Sequence, residues 1–262
     1  MNEMIRGTAA GVPFLARPPE RATSTTPLVL GWHMMDPPRS EAAMAAAVPM
    51  AAVPAWRVYL GLPEHGERAP AGGQQEITRR AAEDYVLKLI DPVVSAASGE
   101  FPVVLHALRS RLETDGPLGL FGGSAGGAVA LQVLTEQDVD VTAAALVNPV
   151  AQLEKVADGA SKWFGTPYPW TAQSRAAAAR LDFVARAGEL AKRHPDLALL
   201  LVRGDRDEPE FREPLGALAR ALDAELVDVP GMEHSLAAEI DATRVDAAFS
   251  DWFRRHLIPP LL

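Results

Sequence analysis

The sequence predicts an α/β protein in which helices cover both faces of a mostly parallel central sheet. From about residue 28 to the end, short apolar runs alternate with segments of helical periodicity, the pattern of strands joined by crossover helices. The chain has 262 residues, and 48% of them are hydrophobic, enough to bury a large core. We therefore expect one domain over residues 1–262.

Strands are predicted where short apolar runs lie between turn-forming residues. The first, at residues 12–17, is expected at an edge of the sheet, and a polar turn follows it. The later ones are predicted at residues 28–31, 56–60, 117–121, 141–147, 197–202 and 226–229. In parallel sheets, functional groups gather beyond the carboxyl ends of the strands, so the residues after these runs are the ones to inspect.

Helices are predicted between the strands. Ser40 is a suitable N-cap for an alanine-rich helix that begins at Glu41. A proline- and glycine-rich loop covers residues 61–73. The remaining helices are predicted at residues 74–112, with breaks near Pro92 and around residues 99–102, and at residues 128–134, 174–194, 211–222 and 235–256.

Composition argues against several classes of function. The net charge is −9, from 25 basic and 34 acidic residues, which disfavours a nucleic-acid or anionic-membrane partner. There is no cysteine, so disulfides, thiolate metal sites and a cysteine nucleophile are excluded. The six histidines are scattered without metal-ligand spacing, and no metal or cofactor is expected. With no signal-peptide pattern and no apolar run long enough for a membrane span, a cytoplasmic protein is expected. We expect it to be a monomer or homodimer.

The segment Gly122-Gly123-Ser124-Ala125-Gly126 has the Gly-x-Ser-x-Gly pattern of a nucleophile elbow. An apolar run precedes it and a helix-forming run follows, which is the context that this motif needs. Glycines two residues either side of Ser124 allow a tight turn that exposes the hydroxyl. The alternative is a plain glycine-rich turn, since such turns also cradle phosphates at helix starts.

Two further residues follow strand ends, in the chain order Ser, Asp, His that enzymes with a nucleophile elbow require. Asp207 comes after the strand at 197–202, and His234 comes after the strand at 226–229. Imidazole can take the serine proton, and a carboxylate fixes the tautomer of the imidazole. Taken singly, each residue is more simply a turn or capping group, but the ordered set of three favours an acyl-transfer site.

These motifs make the chain resemble the α/β-hydrolase superfamily, and within it the prolyl-oligopeptidase and dienelactone-hydrolase branch. The motifs are Gly122 to Gly127, Gly204-Asp205-Arg206-Asp207 and Gly231-Met232-Glu233-His234, and the resemblance covers about residues 12–256. It implies an α/β-hydrolase fold with a Ser124, His234 and Asp207 triad. It also implies that the acid is Asp207, with Asp205 as a turn residue.

The resemblance further implies two backbone donors for an oxyanion. One is the N–H of Ala125. The other belongs to the loop after the early strand, where such hydrolases carry His-Gly-x and this chain has His33-Met34-Met35. That correspondence makes Met35 the second donor, with Met34 or Trp32 as alternatives, and gives His33 the task of bracing the loop.

The region at about residues 150–180 is expected to form a short cap over the site. Met34 and a set of aromatic side chains are candidates for the pocket wall: Trp32, Trp163, Tyr168 and Trp170. The alternative for the cap aromatics is that they anchor an irregular segment to the core. His65, in a polar loop, is expected to be an exposed residue rather than a substrate contact.

The predicted activity is hydrolysis of a small or medium carboxylic ester through an acyl-enzyme. A thioesterase, or an acyltransferase or cyclase of secondary metabolism, would use the same triad and stays open as an alternative. A non-catalytic binding protein on this fold is disfavoured because serine, aspartate and histidine are all present.

Overall fold

The computed structural model describes residues 4–258, apart from the side chains of residues 161, 163 and 164. An eight-stranded sheet runs through the molecule in the order β1-β2-β4-β3-β5-β6-β7-β8. The strands are β1 Ile5–Ala9, β2 Val12–Arg17, β3 Leu28–Trp32, β4 Trp56–Leu60, β5 Leu118–Gly123, β6 Ala143–Val147, β7 Ala198–Gly204 and β8 Glu225–Val229. Strands β3 to β8 pair in parallel, whereas β1 and β2 are antiparallel to their neighbours.

Helices connect these strands and cover both faces of the sheet. They are α1 Glu41–Ala47, α2 Gly73–Glu83, α3 Asp91–Leu112, α4 Ala125–Glu136, α5 Leu153–Phe164, α6 Ala172–Arg180, α7 Ala187–Arg193, α8 Pro209–Leu222 and α9 Glu239–Leu257. A single 3₁₀ turn spans Gly66–Arg68, and a π-helical turn at Val86–Ile90 joins α2 to α3. Within residues 4–258, no helix has both the length and the apolar character that crossing a bilayer requires.

The core consists of two apolar layers, one on each face of the sheet. Successive side chains of a strand point to opposite faces, so Leu28, Leu30 and Trp32 of β3 pack in the layer with α3, α4 and α8. Val29 points the other way, into the layer with α1 and α9. Burial on both faces explains why the parallel strands read as continuous apolar runs.

Two predicted details of the sheet and of α1 can be compared with the structure. Ser40 accepts a hydrogen bond from the Ala43 N–H at 3.2 Å, which confirms the predicted N-cap of α1. The expectation of an edge strand at residues 12–17 was wrong. Strand β2 lies inside the edge, because β1 pairs along its outer side.

Two predicted helices also differ. The predicted break around residues 99–102 is absent, and α3 continues through Pro102 because its buried side packs against the sheet through residues such as Phe101 and Leu108. The segment 174–194 is two helices, since Leu181 and Phe183 make backbone hydrogen bonds to the segment after β6 instead of continuing the helix.

Candidate functional site

Ser124 lies in a tight turn between the carboxyl end of β5 and the start of α4. Its backbone is in a strained conformation, with φ at 49° and ψ at −120°. A Cβ atom on Gly122 would come within 2.4 Å of the Gly126 carbonyl oxygen, and one on Gly126 within 2.4 Å of the His33 carbonyl oxygen. The glycines of the motif are therefore required by close approach of backbone on both sides of the serine.

A continuous chain of hydrogen bonds joins the three residues picked out by order in the sequence. His234 Nε2 lies 2.9 Å from Ser124 Oγ. His234 Nδ1 lies 3.1 and 3.0 Å from the two carboxylate oxygens of Asp207. Because a carboxylate only accepts, Nδ1 carries the proton, which leaves Nε2 as the acceptor facing the serine.

The two aspartates of the loop after β7 have different surroundings. Asp207 is buried, and its Oδ1 also accepts a hydrogen bond from the Glu208 N–H at 2.7 Å. Asp205 is exposed, and its Oδ1 accepts from the Gly231 N–H at 2.6 Å. Asp207 contacts the imidazole of His234, whereas Asp205 stabilises the turn at Gly231, which comes just before His234 in the chain.

Asn148 is a buried residue of the site that was not predicted from the sequence. It lies at the end of β6 with φ at 42°, and its side-chain amide donates to the carbonyls of Glu233 and His234 at 3.0 and 2.9 Å. Its Oδ1 accepts from the Gly204 N–H at 2.9 Å. Asn148 thus joins the strand ends that carry the aspartate and the histidine. Its only sequence signal is an asparagine directly after a buried strand.

Contacts at the end of β3 and in the loop after it distinguish the three residues considered as a second oxyanion donor, which are Trp32, Met34 and Met35. The Met34 N–H donates to the Pro38 carbonyl at 3.1 Å, so it is already engaged. Trp32 lies within β3, which pairs with strands on both sides. Met35 lines the cavity that contains Ser124 and His234. Ala125 begins α4, where the N–H groups of a helix start face the turn.

His33 is fully buried and connects this loop to the one after β4. Its Nδ1 lies 2.7 Å from the Met34 carbonyl oxygen, and the Leu62 N–H donates to its Nε2 at 3.1 Å. Both contacts suit a neutral ring with the proton on Nδ1. Burial lowers the pKa of His33 from 6.5 to about 4, with the nearby His65 adding to the effect.

We expect His33 to make folding sensitive to acid. Its pKa is lower in the folded chain than in the unfolded one, so its contribution is complete above pH 6.5 and is lost as pH falls towards 4. The loss should reach about 3 kcal/mol in the free energy of unfolding. Urea unfolding of the wild type and of His33→Gln at pH 7 and pH 4 measures it, with exposed His106→Gln as the control. Equal losses in wild type and His33→Gln would contradict this assignment.

A cavity of about 490 Å³ opens beside Ser124 and His234. Its apolar wall comes mainly from the segment between β4 and α3, and residues spaced along one face of α2 line it: Gln74, Ile77, Thr78 and Ala81. In the sequence, the i, i+3, i+4 and i+7 spacing of these four residues indicates that they share one face of a helix. Phe211 of α8 also lines the cavity, with its ring centroid 4.0 Å from that of His234.

Trp32 and Met34 are not part of the cavity wall, contrary to the sequence-based expectation. Trp32 is 1% exposed and packs against Phe101, because the alternation of β3 directs it into the helix-covered core. Met34 is fully buried beneath the turn, where a Cβ on Gly123 would meet its Cγ at 2.7 Å.

Two of the predicted cap aromatics, Tyr168 and Trp170, also lie outside the wall of the cavity that contains Ser124. The Tyr168 and Trp170 rings pack together at 4.6 Å, with Tyr168 Oη donating to Asp84 and Trp170 Nε1 donating to Asp158 at 2.8 Å. These contacts fit the alternative that they anchor an irregular segment. The side chain of Trp163 lies outside the described residues.

Apart from histidines, four residues of the cavity wall have a carboxylate or guanidinium side chain, and three of them are acidic. They are Asp36, Arg39, Glu208 and Glu233. Glu208 follows Asp207, and burial, together with the negative charge of Glu210, raises the pKa of its carboxyl group. Among residues 4–258, no three histidine or carboxylate side chains are grouped in a way that could hold a metal ion.

Known proteins resemble this chain in structure but not in sequence. No protein-family model matches the sequence, and no curated protein matches it. A mutant of puromycin hydrolase superposes with a TM-score of 0.65 at 17% identity, over 97% of this chain and 39% of that one. The chain therefore spans about two fifths of that hydrolase.

Two shorter proteins match along nearly their whole length. A lipase in an open form gives a TM-score of 0.67 at 14% identity, with 98% of this chain and 99% of that chain covered. The esterase domain of a Rhodothermus marinus protein gives 0.61 at 16% identity, covering 97% and 98%. Together with the sheet order, these matches show that the chain has the α/β-hydrolase fold, as the sequence motifs predicted.

Proposed function

We propose that the protein is a serine hydrolase that cleaves a carboxylic ester through an acyl-enzyme. The observation that carries the proposal is the hydrogen-bonded chain from Ser124 Oγ through His234 to Asp207, which opens into a cavity. The two structures that match along nearly their whole length are named as a lipase and an esterase, which favours an ester, while one named as an acylaminoacyl peptidase shares the fold over 41% of its length.

In this mechanism, Ser124 Oγ attacks the carbonyl carbon of the ester while its proton passes to His234 Nε2. Asp207 holds the imidazole and stabilises its protonated form. His234 then gives the proton to the departing alkoxide oxygen, and an alcohol leaves. Water attacks the acyl-serine, His234 takes a proton from it and returns one to Ser124, and the carboxylic acid is released.

The negative oxygen of each tetrahedral intermediate needs preorganised donors. We assign these to the backbone N–H groups of Ala125 and Met35. Two observations support this: Ala125 begins α4, directly after the serine, and Met35 is the residue of the 33–35 loop that lines the cavity.

Labelling with a fluorophosphonate probe tests the nucleophile directly. We expect mass spectrometry to find one adduct on Ser124, because the probe reacts with a serine whose proton is removed by a neighbouring base. Ser235 lines the same cavity and serves as the internal comparison. Labelling of His234→Ala should be much slower, since that variant lacks the base. An adduct on Ser235, or none at all, would overturn the proposal.

A further inference from the structure

His65 is a buried side chain in the wall of the catalytic cavity. It is 3% exposed, although its sequence context suggested a loop residue at the surface. The turn that carries it is fixed by its own N–H, which donates to the Leu62 carbonyl, and by the Arg68 N–H, which donates to the His65 carbonyl. Leu62 is in turn held by His33, so the position of His65 is tied to the loop after β3.

The hydrogen bonding of His65 fixes what its ring presents to the cavity. Nδ1 lies 3.0 Å from the Pro63 carbonyl oxygen, and because a carbonyl only accepts, Nδ1 carries the proton. Burial lowers the pKa of His65, which keeps the ring neutral. Nε2 therefore holds a lone pair, has no hydrogen-bond partner within residues 4–258, and is not sealed from solvent. In a binding cavity, such a lone pair can accept a hydrogen bond from a ligand in place of water.

Arg39 limits the kind of donor that suits this position. Its guanidinium also lines the cavity, and its positive charge acts on His65. The guanidinium makes one long contact, 3.6 Å to Asp36, and is half-exposed. A hydroxyl can donate to His65 Nε2 and also accept from a guanidinium N–H, whereas an ammonium group can only donate.

We propose that His65 is a specificity-determining residue that selects esters bearing a hydroxyl group, through a hydrogen bond from that hydroxyl to Nε2. The inference rests on the proposed ester hydrolysis and names its substrate class. The hydroxyl can belong to the acyl group or to the alcohol, and the same contact serves both cases.

Matched ester pairs separate recognition from a merely structural role. The acyl pair is p-nitrophenyl 3-hydroxybutyrate with p-nitrophenyl butyrate, and the alcohol pair is 2-hydroxyethyl butyrate with propyl butyrate. In His65→Phe, which keeps an aromatic ring without the nitrogen, we expect the ratio of kcat/KM within one pair to fall roughly 3- to 10-fold. A structural defect would lower both esters equally and leave the ratio unchanged.

A control variant, a second substitution of His65 and two contrary outcomes complete the test. His106→Phe, on the exposed side of α3, should leave both ratios as in the wild type. His65→Leu replaces His65→Phe if the latter does not fold. Ratios unchanged in both pairs would overturn the proposal, and so would a wild-type preference for p-nitrophenyl 3-aminobutyrate over the 3-hydroxy ester.

Failure of the proposed function can be distinguished from failure of this inference. If Ser124 is labelled by the fluorophosphonate but the ratios do not respond to His65, only the inference fails. If no ester is turned over, calorimetry of the same pairs with Ser124→Ala measures recognition directly. A preference for the hydroxylated member that disappears in Ser124→Ala/His65→Phe supports the contact, and the absence of any preference overturns it.

Discussion

Ser124→Ala should lower kcat for the proposed ester hydrolysis by roughly 10⁶-fold, the loss found when a serine protease with a Ser-His-Asp triad is deprived of its nucleophile. The variant lacks the Oγ atom that lies 2.9 Å from His234 Nε2, so no acyl-enzyme can form. The measurement is steady-state hydrolysis of p-nitrophenyl butyrate, with circular dichroism to verify folding. Ser110→Ala, on the exposed side of α3, is the matched control and should retain wild-type kcat.

A Ser124→Ala variant that folds and keeps more than a small fraction of the activity would mean that another group attacks the ester. Water activated directly by His234 is the chemical alternative, and it would form no covalent intermediate. The fluorophosphonate experiment also tests whether Ser124 is the nucleophile, but it detects a covalent adduct, whereas the kinetic experiment measures kcat.

Asp207→Asn should lower kcat by about 10⁴-fold, whereas Asp205→Asn should have little effect on kcat. The carboxylate of Asp207 accepts a hydrogen bond from the Nδ1–H of His234. An amide at this position can donate to Nδ1 instead, which favours the tautomer with the proton on Nε2. That tautomer cannot take the proton of Ser124, so the chemical step slows while the shape of the site is kept.

Asp205→Asn is the matched control for this prediction because it makes the same substitution in the same loop. Asp205 accepts a hydrogen bond from the Gly231 N–H, and an asparagine there can still accept it as a neutral group, so stability should fall by no more than about 1 kcal/mol. Comparing kcat with the urea midpoint separates the two roles. If Asp205→Asn proved to be the slower enzyme, the assignment of the acid would have to be exchanged.

The parallel sheet and the order of Ser124, Asp207 and His234 could be predicted from the sequence because both depend on local patterns. Short apolar runs define the strands, and each of the three residues follows one of them. The tight turn around Ser124 was also readable, since Gly122 and Gly126 occupy the positions where backbone segments approach closely.

The cavity wall could not be predicted in the same way because it depends on which faces of the elements meet. Trp32 and Met34 lie at the carboxyl end of β3, where functional residues are expected, yet the alternation of β3 and the packing under the turn direct both into the core. His65 belongs to a loop of polar composition, and it is buried by packing against distant parts of the chain, such as the His33 ring with its centroid 6.1 Å away, which local patterns do not show. Asn148 likewise acts on residues 56 to 86 positions away.

The origin of the cavity wall has a consequence for how selectivity can change in this chain. Ser124, Asp207 and His234 come from the ends of β5, β7 and β8, whereas most of the wall comes from residues 35–90, ahead of all three in the chain. Under the proposed mechanism, the residues that act on the ester bond and those that select the substrate therefore come from separate stretches of the chain. Replacing the stretch between β4 and α3 would exchange the apolar wall and His65 together, while the parts that break the bond stay as they are.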